Sequence, residues 1–126
     1  MLNSFLRIAG YLGALSVILG AFGAHALKSM VPPKALEIFE TGVRYQFYHV
    51  FALALAGILY QFFPNKLMYW SGNCFIIGII LFSGSLYLLT YASATDSAAF
   101  RWVGPITPLG GLLLIAGWIL LALGIR

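Results

Sequence analysis

One stretch of this 126-residue chain, residues 37–53, brings several ionisable side chains up against a long apolar segment; it reads E-I-F-E-T-G-V-R-Y-Q-F-Y-H-V-F-A-L. Glu37, Glu40, Arg44 and His49 fall within a few helical turns and run straight into an apolar segment over 51–63. On one helix, at about 100° per residue, Glu37, Glu40, Thr41, Arg44 and Tyr48 share a face, with Tyr45 and His49 on the adjoining flank. Glu40 precedes Arg44 by four residues, the favourable order for a helical ion pair. Such a set can lock helices together as a satisfied polar network. It can also hold an anionic headgroup, a carboxylate or a protein partner through the guanidinium and an imidazole. Metal binding is the weaker reading: His25 and His49 have no tight ligand spacing between them, so no metal is assigned. No serine stands with histidine and a carboxylate in a recognisable pattern, and no H-E-x-x-H occurs, so no catalytic residue and no enzyme activity are expected.

The surroundings of this stretch are membrane-like. Hydrophobic residues make up 62% of the chain and charged residues 8%, with mean hydropathy +0.98. A soluble domain carries roughly 25% charged residues, so a water-facing surface cannot be built from this composition. The chain reads as one integral membrane domain. Formal net charge is +4, but Arg7, Lys28, Lys34, Arg44, Lys66, Arg101 and Arg126 are scattered, mostly where apolar runs end. That is the placement of interfacial anchors and excludes a nucleic-acid patch. The single cysteine, Cys74, rules out an internal disulfide and gives no zinc spacing. Nothing points to a cofactor. Arg7 before an apolar run, with Ala24, His25 and Ala26 after it, has the look of a signal peptide. The run over 8–24 exceeds the usual ~7–15-residue apolar region, so an uncleaved first helix is expected.

Four helices are expected to position the stretch, over about 5–27, 34–63, 67–91 and 103–125, with short connections. Gly13 and Gly20, and Ser16, Gly20 and Ala24, form small-residue rows that let backbones approach closely in lipid. Pro32 and Pro33 end the first loop, and Pro33 suits the first turn of the second helix. Pro64, Asn65 and Lys66 read as a tight turn. Tyr69, Trp70, Tyr87 and Tyr91 read as interfacial belts on the third helix. A polar loop follows over 93–98, and Arg101 and Trp102 mark the return to the membrane. Gly110, Gly117 and Gly124 recur at heptad spacing in the fourth helix. Pro108 removes a backbone donor, so either the regular helix begins only near Ile106 or its first turn is irregular and leaves the carbonyl of Gly104 without a helical partner.

The expected architecture is therefore an all-α, antiparallel up-down-up-down transmembrane bundle with both termini on one face. Basic residues divide almost evenly between the two faces, so orientation is weakly determined. The bundle brings His25, Thr107 and the end of the third helix with Ser83, Ser85, Tyr87 and Thr90 to the end that carries Arg44. A charge at the membrane centre costs at least ~2.5–3.5 kcal/mol unless answered, so Arg44 is expected to pair with Glu40 first and Glu37 second. On this reading Arg44→Ala destabilises the protein.

The runs G-A-F-G-A-H-A-L over 20–27, T-G-V-R-Y-Q-F-Y-H over 41–49, F-S-G-S-L-Y over 82–87 and G-P-I-T-P-L-G-G over 104–111 together resemble the YgdD-like family of small bacterial inner-membrane proteins. The resemblance covers essentially the whole chain in order. It implies four membrane helices and a multi-pass location in the bacterial inner membrane, and it assigns no activity. It also implies that Gly23, His25, Arg44, Tyr45, His49, Gly84, Tyr87, Pro105, Thr107, Pro108 and Gly110 belong to the family pattern.

The leading expectation is a non-enzymatic accessory, scaffolding, lipid-binding or partner-binding protein. Its candidate polar pocket is His25, Glu40, Arg44, Tyr45, Tyr48, His49, Tyr87 and Thr107. Membrane lipids are the expected partners, with a homo-oligomer or a membrane-protein partner possible and no nucleic acid. The alternative is a minimal oligomeric transporter or channel for a small solute. Against it, none of the four helix centres carries the acid that a proton-coupled exporter uses.

Overall fold

Proline and asparagine set where the helices begin. Pro33 opens the second helix, where its missing N–H is no loss. Asn65 opens the third, its side chain accepting from the Met68 amide at 3.1 Å. In the computed structural model, which describes residues 2–95 and 101–126, the elements are α1 (Leu2–Ala24), α2 (Pro33–Phe62), α3 (Lys66–Ala94) and α4 (Ile106–Gly124). Short 3₁₀ turns over Leu27–Ser29 and Arg101–Val103 precede α2 and α4. The expected polar loop over 93–98 lies partly outside the described residues, as does the side chain of Arg101.

Four boundaries differ by several residues from the expected ranges: α1 both starts and ends earlier, α3 runs on to Ala94, and α4 takes the later of the two starts that Pro108 left open. The first helix stops at Ala24 and tightens into the 3₁₀ turn, so it is shorter at that end than the apolar run suggests. The fourth begins only at Ile106, after Pro105. Pro108 then falls among the first amides of α4, which have no intrahelical acceptor in any helix. The carbonyl of Gly104 is not stranded either: the Thr107 amide donates to it at 3.2 Å.

The four helices form an antiparallel bundle in chain order. α1 packs on α2, α2 on α3 and α3 on α4, with α2 touching α4 only lightly. The central pair is therefore α2 and α3, flanked by α1 and α4. On the α1–α2 seam, Gly13 meets Val50 and Gly20 meets Val43. On the α3–α4 seam, Gly110, Gly117 and Gly124 meet Phe82, Phe75 and Met68. Both rows run at seven-residue spacing in opposite directions, so glycine on one helix receives a bulky group from the other.

The main core joins Phe5, Leu53, Ala56, Met68, Phe75 and Leu114, and a smaller one joins Leu27, Val31, Ala35, Phe39 and Val43 beside the first loop. Three helices, the first with its following turn, the third and the fourth, are long and apolar enough to cross a membrane. The second is 30 residues long but carries the polar stretch within it.

Candidate functional site

The face of α2 that looks away from the core carries the charges. Glu37, Glu40, Arg44 and Tyr48 are exposed on it, and the same stripe continues through Phe51, Leu55, Ile58 and Phe62. The opposite face, with Phe39, Gln46, His49 and Leu53, is buried. Among the described residues, neither Glu37, Glu40 nor Arg44 has an ion-pair partner within 4.0 Å. The expected Glu40–Arg44 pair is therefore not formed. An exposed i,i+4 pair contributes only ~0.3–0.5 kcal/mol and must hold two long side chains in one geometry to do so.

Depth follows from helix register. The 19 residues of α4 rise about 28 Å, close to the ~30 Å hydrocarbon thickness of a bilayer. Thr107, in its first turn, shares a hydrogen bond with Ser85 of α3. Ser83, two residues earlier on α3, donates to the carbonyl of Gly42 on α2 at 2.7 Å. Glu40 is thus level with the start of α4. Arg44 lies about one turn inside that level and Glu37 about one turn outside it. A snorkelling arginine spans one turn with ease.

Behind Arg44 the interior is a polar network that the sequence motifs had not isolated. The hydroxyl of Tyr87 donates to Gln46 Oε1 at 2.6 Å, and Gln46 Nε2 donates to the carbonyl of Leu12 at 3.1 Å. This ties α3, α2 and α1 together. Ser16 donates to the same Leu12 carbonyl at 2.8 Å. Gln46 is 2% exposed. The signal for it was available: an uncharged amide inside an apolar helix must find partners, because lipid offers none.

His49 belongs to a second seam. Its Nδ1 lies 2.7 Å from the Tyr45 carbonyl, and Trp118 Nε1 lies 3.0 Å from its Nε2. A carbonyl only accepts and an indole N–H only donates, so these partners assign the neutral Nδ1–H tautomer. Both ring nitrogens are engaged, and the imidazole has none left for a ligand. Trp118 was missed because it lies mid-helix, away from the expected belts; its N–H nonetheless needs a buried acceptor. Tyr45, His49, Phe82, Leu114, Ile115 and Trp118 line an apolar groove of about 340 Å³ between α2 and α4, just deeper than Arg44.

The eight expected residues are thus distributed, not convergent. Glu40, Arg44 and Tyr48 share the outward stripe, and Tyr45 turns the corner, its ring 5.6 Å from Tyr48 and 5.1 Å from Phe82. Tyr87 lies in the inner network, Thr107 on the α3–α4 seam, and His25 is exposed after the end of α1. Every buried side-chain nitrogen and oxygen among the described residues has a hydrogen-bond partner. Among those residues no group of three metal-ligating side chains lies together.

Comparison with known proteins agrees with the architecture. A family described as protein of unknown function (DUF423) matches residues 19–111. The chain belongs to the DUF423 family. A UPF0382 membrane protein of Haemophilus influenzae is 42% identical over 124 residues, covering 98% of this chain and 94% of that one. The UPF0382 membrane protein YwdK of Bacillus subtilis is 38% identical, covering 93% of this chain and 91% of its own length. The UPF0382 inner membrane protein YgdD of Escherichia coli is 34% identical, covering 98% and 91%. The YgdD-like resemblance read from the motifs is thereby established, and this DUF423 chain is a membrane protein. No solved structure matches it. All eight candidate residues lie inside the matched DUF423 segment, whereas Trp118 lies beyond it.

Proposed function

We propose that the protein is a non-enzymatic, four-pass protein of the bacterial inner membrane. It acts as an accessory or scaffold that holds a lipid or a membrane partner against the outward face of α2. One observation supports this above the rest: Glu37, Glu40 and Arg44 face outward from the bundle with no ion pair in the described chain, at the edge of the slab that α4 would span. A partner or headgroup from outside is what would answer those charges.

Connectivity supports four passes. If α1 and α3 cross in the same direction, α2 has to return between them, despite its polar half. The main core is filled by groups such as Leu53, Ala56 and Phe75, which weighs against a wet path and so against the transport reading.

The test is a photo-crosslinking residue at Tyr48, on the stripe, and at Leu112, on the apolar outer face of α4, in the full-length protein in membranes. A discrete lipid or protein adduct at position 48 that is absent at 112 and lost on Arg44→Ala is the expected result. Identical, diffuse labelling at both positions would overturn the proposal.

A further inference from the structure

We infer that the α2 face is a site for a zwitterionic phospholipid whose headgroup ends in a primary ammonium. This rests on the lipid-or-partner reading above and names the ligand for it. The groups on this face follow a fixed order along the membrane normal. From the hydrocarbon outward come the apolar groove between α2 and α4, then Arg44, then Glu40 and Glu37. In the same direction such a lipid presents an acyl chain, then a phosphate, then an ammonium. Apolar meets apolar, cation meets anion and anions meet cation, in the same sequence and at spacings of about one helical turn.

The alternatives match less well. An anionic phospholipid would satisfy Arg44 but would place further negative charge beside two carboxylates that have no cationic partner in the described chain. A quaternary ammonium headgroup carries the charge but has no N–H to donate to Glu40 or Glu37, whereas an –NH₃⁺ group has three. The exposed tyrosines Tyr45 and Tyr48 lie on the core side of Arg44, so they flank the glycerol region and cannot cage a choline outside the phosphate. His49 contributes shape only, since Tyr45 and Trp118 occupy its nitrogens.

The experiment is native mass spectrometry of the full-length protein in micelles containing equal amounts of phosphatidylethanolamine, phosphatidylcholine and phosphatidylglycerol with matched chains. The parent is expected to retain one phosphatidylethanolamine about fivefold over either competitor, the size of a modest charge-pair preference. Glu37→Gln with Glu40→Gln is expected to erase that preference while lipid is still retained. Arg44→Ala is expected to lose retained lipid of every headgroup. All three proteins should melt together, because the substituted groups are exposed. Retention without headgroup preference that still depends on Arg44 would sink this inference and leave the proposed function standing. A preference for phosphatidylglycerol, or one unmoved by the glutamine pair, would sink it as well. A lipid-free dimer abolished by the same substitutions would show that a second copy fills the face, and would likewise overturn the lipid assignment. No retained lipid together with no discrete adduct at position 48 would remove both.

Discussion

At the scale of single residues, burial separates the groups that hold the fold from those free to act. Tyr87 and Gln46 form an internal bond across α3 and α2, and Tyr87→Phe leaves the Gln46 oxygen unanswered. A loss of about 1 kcal/mol is expected, read as a lowered melting temperature in detergent, and Gln46→Leu in the same background should recover part of it. Arg44 has no ion pair to lose within the described chain. Arg44→Ala is therefore expected to stay within about 0.5 kcal/mol of the parent, against the destabilisation that the sequence alone suggested. A large fall in melting temperature would show that Arg44 does hold the bundle. The sequence made the charged residues visible because they contrast with lipid. It could not say which of Arg44, Tyr45 and Gln46, adjacent in the chain, turned outward, since that depends on which neighbours α2 acquires. Gln46 and Trp118 are neutral and drew less notice, yet they are the ones with partners to satisfy.

At the scale of helices, the α3–α4 seam is the tightest contact. A methyl group added at Gly110 would run into the backbone of Phe82, whereas one at Gly84 would meet nothing within 4 Å. Backbone cannot swing aside as a side chain can. Gly110→Ala is expected to cost about 3 kcal/mol or to prevent folding, and Gly84→Ala to be neutral or to stabilise by up to ~1 kcal/mol through helix propensity. Paired melting curves check both. The heptad of glycines in α4 was legible from spacing, but its partners Phe82, Phe75 and Met68 were not: any of several apolar rows on α3 could have faced it. Helix ends were legible where proline or asparagine marked them, as at Pro33 and Asn65. They were less so at the end of α1, where the apolar run continues past Ala24 while the helix gives way to a 3₁₀ turn.

At the scale of the whole molecule, the antiparallel order sets a test of topology. With Cys74 replaced by alanine, single cysteines at Lys28 and Lys34 are expected to react with an impermeant maleimide from one side of the membrane and a cysteine at Lys66 from the other. Labelling of all three from one side would reduce α2 to a helix lying along the surface. The four-helix architecture was legible because 62% hydrophobic residues leave few alternatives and the turn residues divide the chain. The neighbour order was not, since composition does not say whether the last helix returns to the first.

Serial contact has a consequence for biogenesis. Each helix finds a docking surface on the segment made immediately before it: α2 on α1, α3 on α2 and α4 on α3. A nascent chain leaving the ribosome therefore never has to hold an unsatisfied span in reserve for a distant mate. The α3–α4 pair also carries a latch joining the start of one helix to the end of the other, in which the Asn65 side chain donates to the carbonyl of Gly124 at 2.8 Å.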